Sequence, residues 1–154
     1  MAGKIEARLK QLGVTLPTPA PARGNYVPWV VTGNLVFIAG QVSRLGDDGV
    51  YGKLGAGLAI AEGQKAARWC ALNILAHLKA ACGGDLDRVK RAVKLGGFVN
   101  GAPDFPDSPT VINGCSDLLV EIFGDAGKHA RFAVSVSSLP ANVAVEIDAV
   151  FEMH

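Results

Sequence analysis

The final strand-like segment, Val143 to Phe151, sets the tightest limit on what this chain can fold into. Its apolar residues stand at every second position, at Val143, Val145, Ile147, Ala149 and Phe151. That is the period of an extended strand with one face on a core and the other turned away. The covered face needs a partner of matching width. Ala59 to Cys82 provides one, with Ala66, Trp69, Cys70, Leu72, Ile74, Leu75 and Leu78 in a broad apolar stripe. Glu62, Lys65, Arg68 and Lys79 punctuate the other side, and Gly83-Gly84 is a suitable stop. A second helix is expected from Thr110 to Gly124, with Val111, Leu118, Leu119 and Ile122 on one side.

The remaining segments fit around this pair. Ile5, Leu9 and Leu12 suggest a short amphipathic helix ending near Gly13. The stretch TLPTPAPARG then runs extended, because each proline fixes its own φ and discourages helix in the residue before it. Tyr26 to Gln41 reads as strand, turn at Thr32-Gly33-Asn34, and strand. A loop follows from Gly46 to Gly57. Val89 to Val99 reads as a long strand in which Gly96-Gly97 marks a bulge or a close backbone approach. Asn100 to Pro109 is a loop, and Phe132 to Ser137 a further strand. The order β-β-α-β-α-β-β implies an α+β fold, one mixed sheet with both helices on one face. Residues 1–24 form an N-terminal helix and strap, and 25–154 the domain proper. The bare sheet face must be buried elsewhere. Hydrophobic residues are 49% of the 154 and charged residues 19%, a surplus that three copies closing into a barrel-like core would absorb.

Several function classes lose support. The net charge of +1 offers no basic stripe for phosphate backbones, which argues against nucleic acid. No window approaches about 18 uninterrupted apolar residues, so no membrane span is expected. The opening MAGKIEARLKQLG lacks the apolar core of a signal peptide. Cys70, Cys82 and Cys115 form no CxxC pair, and free thiols in a reducing cytoplasm are the simplest expectation. His77, His129 and His154 show no metal-binding spacing, so neither metal nor cofactor is expected.

Four segments, in order, resemble the YjgF/Rid (reactive intermediate deaminase) family, also labelled endoribonuclease L-PSP. They are Gly24-Asn25-Tyr26-Val27 with Gly33 to Gln41; the long helix with the Gly-Gly-Asp-Leu-Asp-Arg-Val that follows; the helix carrying Asn113; and Ala130 to Pro140 leading into Val145-Glu146-Ile147-Asp148-Ala149-Val150. The resemblance covers about Asn25 to Glu152. It implies a chorismate-mutase-like fold, a homotrimer with clefts between subunits, and hydrolysis of imine or enamine acids to 2-keto acids and ammonia. Some members of the family are described instead as ribonucleases, translation inhibitors or chaperones.

The resemblance also assigns roles. Arg131 stands where the family binds the ligand's carboxylate, a task suited to the guanidinium fork; the other reading is an ion pair. Glu146 matches the glutamate that positions water, against a reading in which it simply faces solvent. Tyr26 matches a tyrosine near the ligand or packs at an interface. Gly40 and Gln41 let backbone approach the ligand or merely end a strand, and Asn113 reaches across the cleft or caps its helix. Ala133 replaces the family's cysteine, leaving only backbone N–H and C=O to act there. Cys115 enters the cleft or is a small buried hydrophobe, and His129 is a possible base beside Arg131 or an exposed histidine at a loop. The expected partner is a small carboxylate-bearing metabolite, with Glu146 and Arg131 performing a deamination; the alternatives are a trimer that binds without turnover, or an endoribonuclease.

Overall fold

The computed structural model describes residues 3–154; the first two residues of the expected N-terminal helix and strap lie outside them. The chain runs α1 (Lys4–Leu12), β1 (Trp29–Thr32), β2 (Leu35–Val42), β3 (Arg44–Leu45), β4 (Asp48–Gly49), β5 (Lys53–Leu54) and β6 (Gly57–Leu58), then α2 (Ile60–Ala81) and β7 (Val89–Asn100). It continues through α3 (Ser108–Phe123), β8 (Ala130–Val136) and β9 (Val145–Met153). A mixed α+β fold is therefore observed. One five-stranded sheet has the order β1-β2-β9-β7-β8, in which β7 and β8 are parallel and the other neighbours antiparallel.

The alternating strand β9 is at the centre of this sheet. Val145, Ile147, Ala149, Phe151 and Met153 are buried, and the residues between them are not. The buried side continues into Val36 and Ile38 of β2 and Leu95 and Val99 of β7. Both long helices lie on that side, α2 against β2 and β9, α3 against β7 and β8. The two helices approach closely where Gly114 of α3 meets the backbone of Gln64: a Cβ on Gly114 would stand 2.8 Å from the Gln64 carbonyl carbon. On the opposite face Val30, Phe37, Phe132 and Val134 are exposed, with Phe37 registered against Val30 and Val150.

α1 packs through Leu9, and through Ile5 and Leu12 at its margins, onto the same core. It ends at Gly13 in the left-handed conformation, a terminus that glycine adopts without a Cβ penalty. Its first turn is held from far along the chain: the N–H groups of Lys4 and Ile5 each donate to the Asp87 carboxylate at 2.8 Å.

Two expectations are corrected and a third is narrowed to one of its alternatives. The first strand begins at Trp29, so Tyr26 precedes it. Proline at 28 has no N–H for a ladder, and its carbonyl instead takes the Ala39 N–H at 2.9 Å. Gly96-Gly97 carries no bulge, since the ladder stays in register there and shifts between Val89 and Arg91 and between Ala92 and Lys94. The glycines serve close approach: the Ile112 side chain fills the space beside Gly97, and those of Asp148 and Phe132 the space beside Gly96. The segment read as a loop from Gly46 to Gly57 contains β4, β5 and the start of β6, in small ladders pairing β3 with β4 and β5 with β6.

Candidate active site

Arg131 enters the fold near the start of β8, registered against the fully buried Leu95 of β7. It therefore projects toward the helix side. Because β8 is an edge strand, the long side chain has room to lie along α3. Nη1 donates to Ser116 Oγ at 3.0 Å and Nη2 to the Pro109 carbonyl at 3.2 Å. Both acceptors are neutral, and among the described residues no carboxylate pairs with Arg131. The guanidinium is thus oriented by the protein while its charge stays uncompensated.

Ser116 is bonded twice. Its Oγ lies 2.9 Å from His129 Nε2, and His129 Nδ1 lies 2.7 Å from the Gly127 carbonyl. A carbonyl only accepts, so Nδ1 carries the proton and Nε2 is the free acceptor. The Ser116 hydroxyl then donates to Nε2 and accepts from Arg131. Partial burial pulls the His129 pKa below its ordinary 6.5; the Gly127 carbonyl opposes that shift and the Arg131 charge adds to it. The ring is neutral at neutral pH.

Glu146 belongs to a different neighbourhood. Its chain neighbours Val145 and Ile147 are fully buried toward the helices, so its carboxylate faces the bare side of the sheet. Gly40 lies beside it, where an added Cβ would meet Glu146 Oε2 at 3.0 Å. β1 covers only Leu35 to Ile38 of β2, and the β2–β9 register shifts between Ile38 and Gln41. Gln41 is folded back, with Nε2 donating to the Ala39 carbonyl at 3.0 Å. Half-burial pushes the Glu146 pKa up, and Asp148 pushes it further.

Within one chain the expected site residues therefore form two groups. Arg131 and Ala133 share the β8 edge beside α3, while Gly40, Gln41 and Glu146 gather near the open half of β2. Arg131 and Glu146 lie on opposite faces and on strands separated by β7. Ala133 is registered against Gly97 and packs against the core. Asn113 is half-buried on α3 and does not cap it: α3 begins at Ser108, with Asp107 in the cap position, so Asn113 lies beyond the first turn. Tyr26 is exposed and lies just before Pro28, whose carbonyl accepts from the Ala39 N–H next to Gly40 and Gln41. Cys115 is fully buried and its thiol pKa is raised to about 12, chiefly by burial, the state of a small core hydrophobe.

The Ser116–His129 contact was not visible in the linear pattern. His129 and Arg131 stand two apart on extended chain and so share a side, which was the one available signal. Lys53 was also missed. Its Nζ donates to Asn100 Oδ1 at 2.7 Å and to the Ser137 carbonyl at 2.5 Å, beside a cleft of about 300 Å³ lined with Ser135 and Ser137. Among the described residues no group of three or more His, Cys, Asp or Glu side chains could hold a metal ion, and no helix is long and apolar enough to cross a membrane.

Comparison with known proteins adds the relatives of this arrangement. The family model described as "YjgF/chorismate mutase-like, putative endoribonuclease" matches residues 6–152. Protein TCP17 of Trypanosoma cruzi is 46% identical over 155 residues, covering 99% of this chain and 96% of that protein. The crystal structure of protein Atu1372 from Agrobacterium tumefaciens is 46% identical, with a TM-score of 0.90 over 97% of this chain and 92% of that one. Escherichia coli TdcF, solved with bound serine, is 26% identical, with a TM-score of 0.63 over 91% of this chain and 96% of that one.

Proposed function

This chain belongs to the YjgF/chorismate mutase-like family, and on that footing we propose that it hydrolyses small reactive imine or enamine acids to 2-keto acids and ammonia. The observation that carries this reading is the uncompensated Arg131 guanidinium, held by two neutral acceptors at the sheet edge. Each terminal nitrogen has a second N–H to spare, enough to hold a carboxylate by both oxygens. The serine bound to the related TdcF is a small molecule with such a carboxylate.

The second component is an assembly in which Glu146 of one copy meets Arg131 of another. Its support is the placement of the two residues on opposite faces of one chain, together with the apolar face bearing Val30, Phe37, Phe132 and Val134. A homotrimer would cover that face and bring the two groups together in a cleft between subunits. With the carboxylate on Arg131, the adjacent imine carbon is presented to a water held by Glu146. Its half-buried carboxylate, with a raised pKa, is suited to accept a hydrogen bond from that water and hold it for attack. The iminium carbon is already electrophilic, so the residues' task is to orient, to solvate and to move protons.

Binding without turnover is the second reading, favoured by Ala133 in the place of the family's cysteine. An endoribonuclease draws little support from a chain of net charge +1. The deciding experiment measures ammonia and keto-acid release from enzymatically generated 2-imino acids, for wild type and Arg131→Ala. Acceleration by wild type that is lost in a folded Arg131→Ala protein supports the deaminase. No acceleration across several side chains refutes it in favour of a binding protein, and full turnover by the variant refutes the anchor.

A further inference from the structure

Ser116 and His129 are assigned no role by the reading above, yet they are the side chains hydrogen-bonded to the proposed anchor. We propose that Ser116 and His129 form a proton-transfer couple within the Arg131 half-site, serving the small imino acid held there. The inference rests on the deaminase reading and deepens it.

The argument begins with connectivity. The chain of bonds runs Gly127 C=O, His129 Nδ1–H, His129 Nε2, Ser116 O–H, Arg131 Nη1–H. A nucleophile-type hydroxyl whose proton points at a neutral imidazole, itself oriented by a carbonyl, is the geometry by which a serine passes a proton to a histidine. The hydroxyl proton of Ser116 needs an acceptor in either role, and here that acceptor is the titratable His129 Nε2. Its position also suits the task. The imine carbon of a 2-imino acid is bonded to the carboxylate carbon, so a carboxylate on Nη1 and Nη2 brings the reacting centre close to the Ser116 hydroxyl, 3.0 Å from Nη1.

The proton balance closes. Water adds to the iminium carbon, forming the C–O bond while the C=N electron pair moves to nitrogen. The proton that water releases goes to Ser116 Oγ as the serine's own proton moves to His129 Nε2. The couple then returns a proton through Ser116 to the carbinolamine nitrogen. The C–N bond breaks, the carbonyl forms, and the hydroxyl proton leaves with ammonia as ammonium. His129 ends neutral, as it began.

His129 is kept in the accepting state by its surroundings. On β8 the Arg131 charge opposes its protonation, and burial acts in the same direction. α3 presents the neutral Ser116 and bears Asp117 next along the chain. The turn at Gly127 places the Asp125–Lys128 ion pair nearby, and Arg91 of β7 donates to the Lys128 carbonyl at 3.1 Å.

The test is steady-state hydrolysis of enzymatically generated 2-imino acids by the full-length protein across pH, with Ser116→Ala, Ser116→Thr and His129→Gln. Glutamine retains a hydrogen-bonding side chain but does not titrate in this range, so it separates a structural from a proton-transfer role. The expected result is a kcat lower by about 10²-fold or more in Ser116→Ala and His129→Gln, the scale of general acid–base contributions, with KM little changed in His129→Gln and raised in Ser116→Ala, where only the Pro109 carbonyl still holds Arg131. Ser116→Thr should recover part of the loss, and in His129→Gln the acidic limb of the wild-type kcat profile should lose the component that His129 contributes, leaving only that of Glu146. Wild-type turnover that survives both substitutions overturns the couple and leaves the deaminase standing. Loss in Ser116→Ala through KM alone, with an unaltered pH profile in His129→Gln, also overturns it. Absence of turnover in the wild type overturns both.

Discussion

At the scale of single residues, Asp87 shows how a distant carboxylate can do the work of a local cap. Gly3 precedes α1 and has no side chain with which to meet the first-turn N–H groups. Asp87, at the entry to β7, accepts from Lys4 and Ile5 instead. The bonds to Ile5 and Lys4 hold its carboxyl pKa below the ordinary value. The folded state therefore binds this proton more weakly than the unfolded chain does. The resulting stability is fully present above the usual carboxylate range and is lost as pH falls through the lowered pKa. Asp87→Asn should increase amide hydrogen exchange in Lys4–Leu12 at neutral pH while β7 stays protected, and acidification should bring the wild type toward the same pattern. Equal exchange in the two proteins at neutral pH would show that α1 is held by Leu9 and its neighbours alone. No periodicity announced this contact, because 82 and 83 residues separate its ends. Arg131 and Glu146 stood out for the opposite reason: each is a charge set in a short run of strand residues.

Among whole elements, the central strand and both long helices were legible because their apolar spacing is a direct consequence of burial. Val145 to Phe151 alternates, and α2 turns a wide stripe to the sheet. What was less legible is how the helices fit each other. Gly114 lies in α3 between Asn113 and Cys115, and nothing in its surroundings along the chain distinguishes it from a weak helix former. In space it lets α3 rest on the Gln64 backbone of α2. A methyl group there meets a carbonyl that cannot swing aside, unlike the flexible end of a side chain. Gly114→Ala should therefore cost about 1–3 kcal/mol, the range for overpacking, read as a lower urea midpoint with an unchanged m-value. Unchanged stability would mean that the helices separate freely. The variant should also disturb Ser116, half a turn further along the same helix. The small ladders between Arg44 and Leu58 escaped notice for another physical reason, since two-residue strands are too short to show any period.

For the molecule as a whole, the sheet divides the site residues between its two faces and its two borders. Arg131 turns toward α3 from the β8 edge, and Glu146 turns toward the bare face near the open end of β2. No rearrangement of side chains within one chain brings them together, because β7 and the sheet itself stand between them. In the proposed assembly, the two lesions Arg131→Ala and Glu146→Gln would damage different halves of a shared pocket. Each variant should be inactive by itself. Unfolded together and refolded as a mixture, they should regain activity, because some pockets would draw an intact arginine from one parent and an intact glutamate from the other. For random assembly of equal amounts into a ring, about a quarter of the pockets would be whole. Recovery near that fraction would make these two positions behave, genetically, like separate complementing functions encoded by one reading frame.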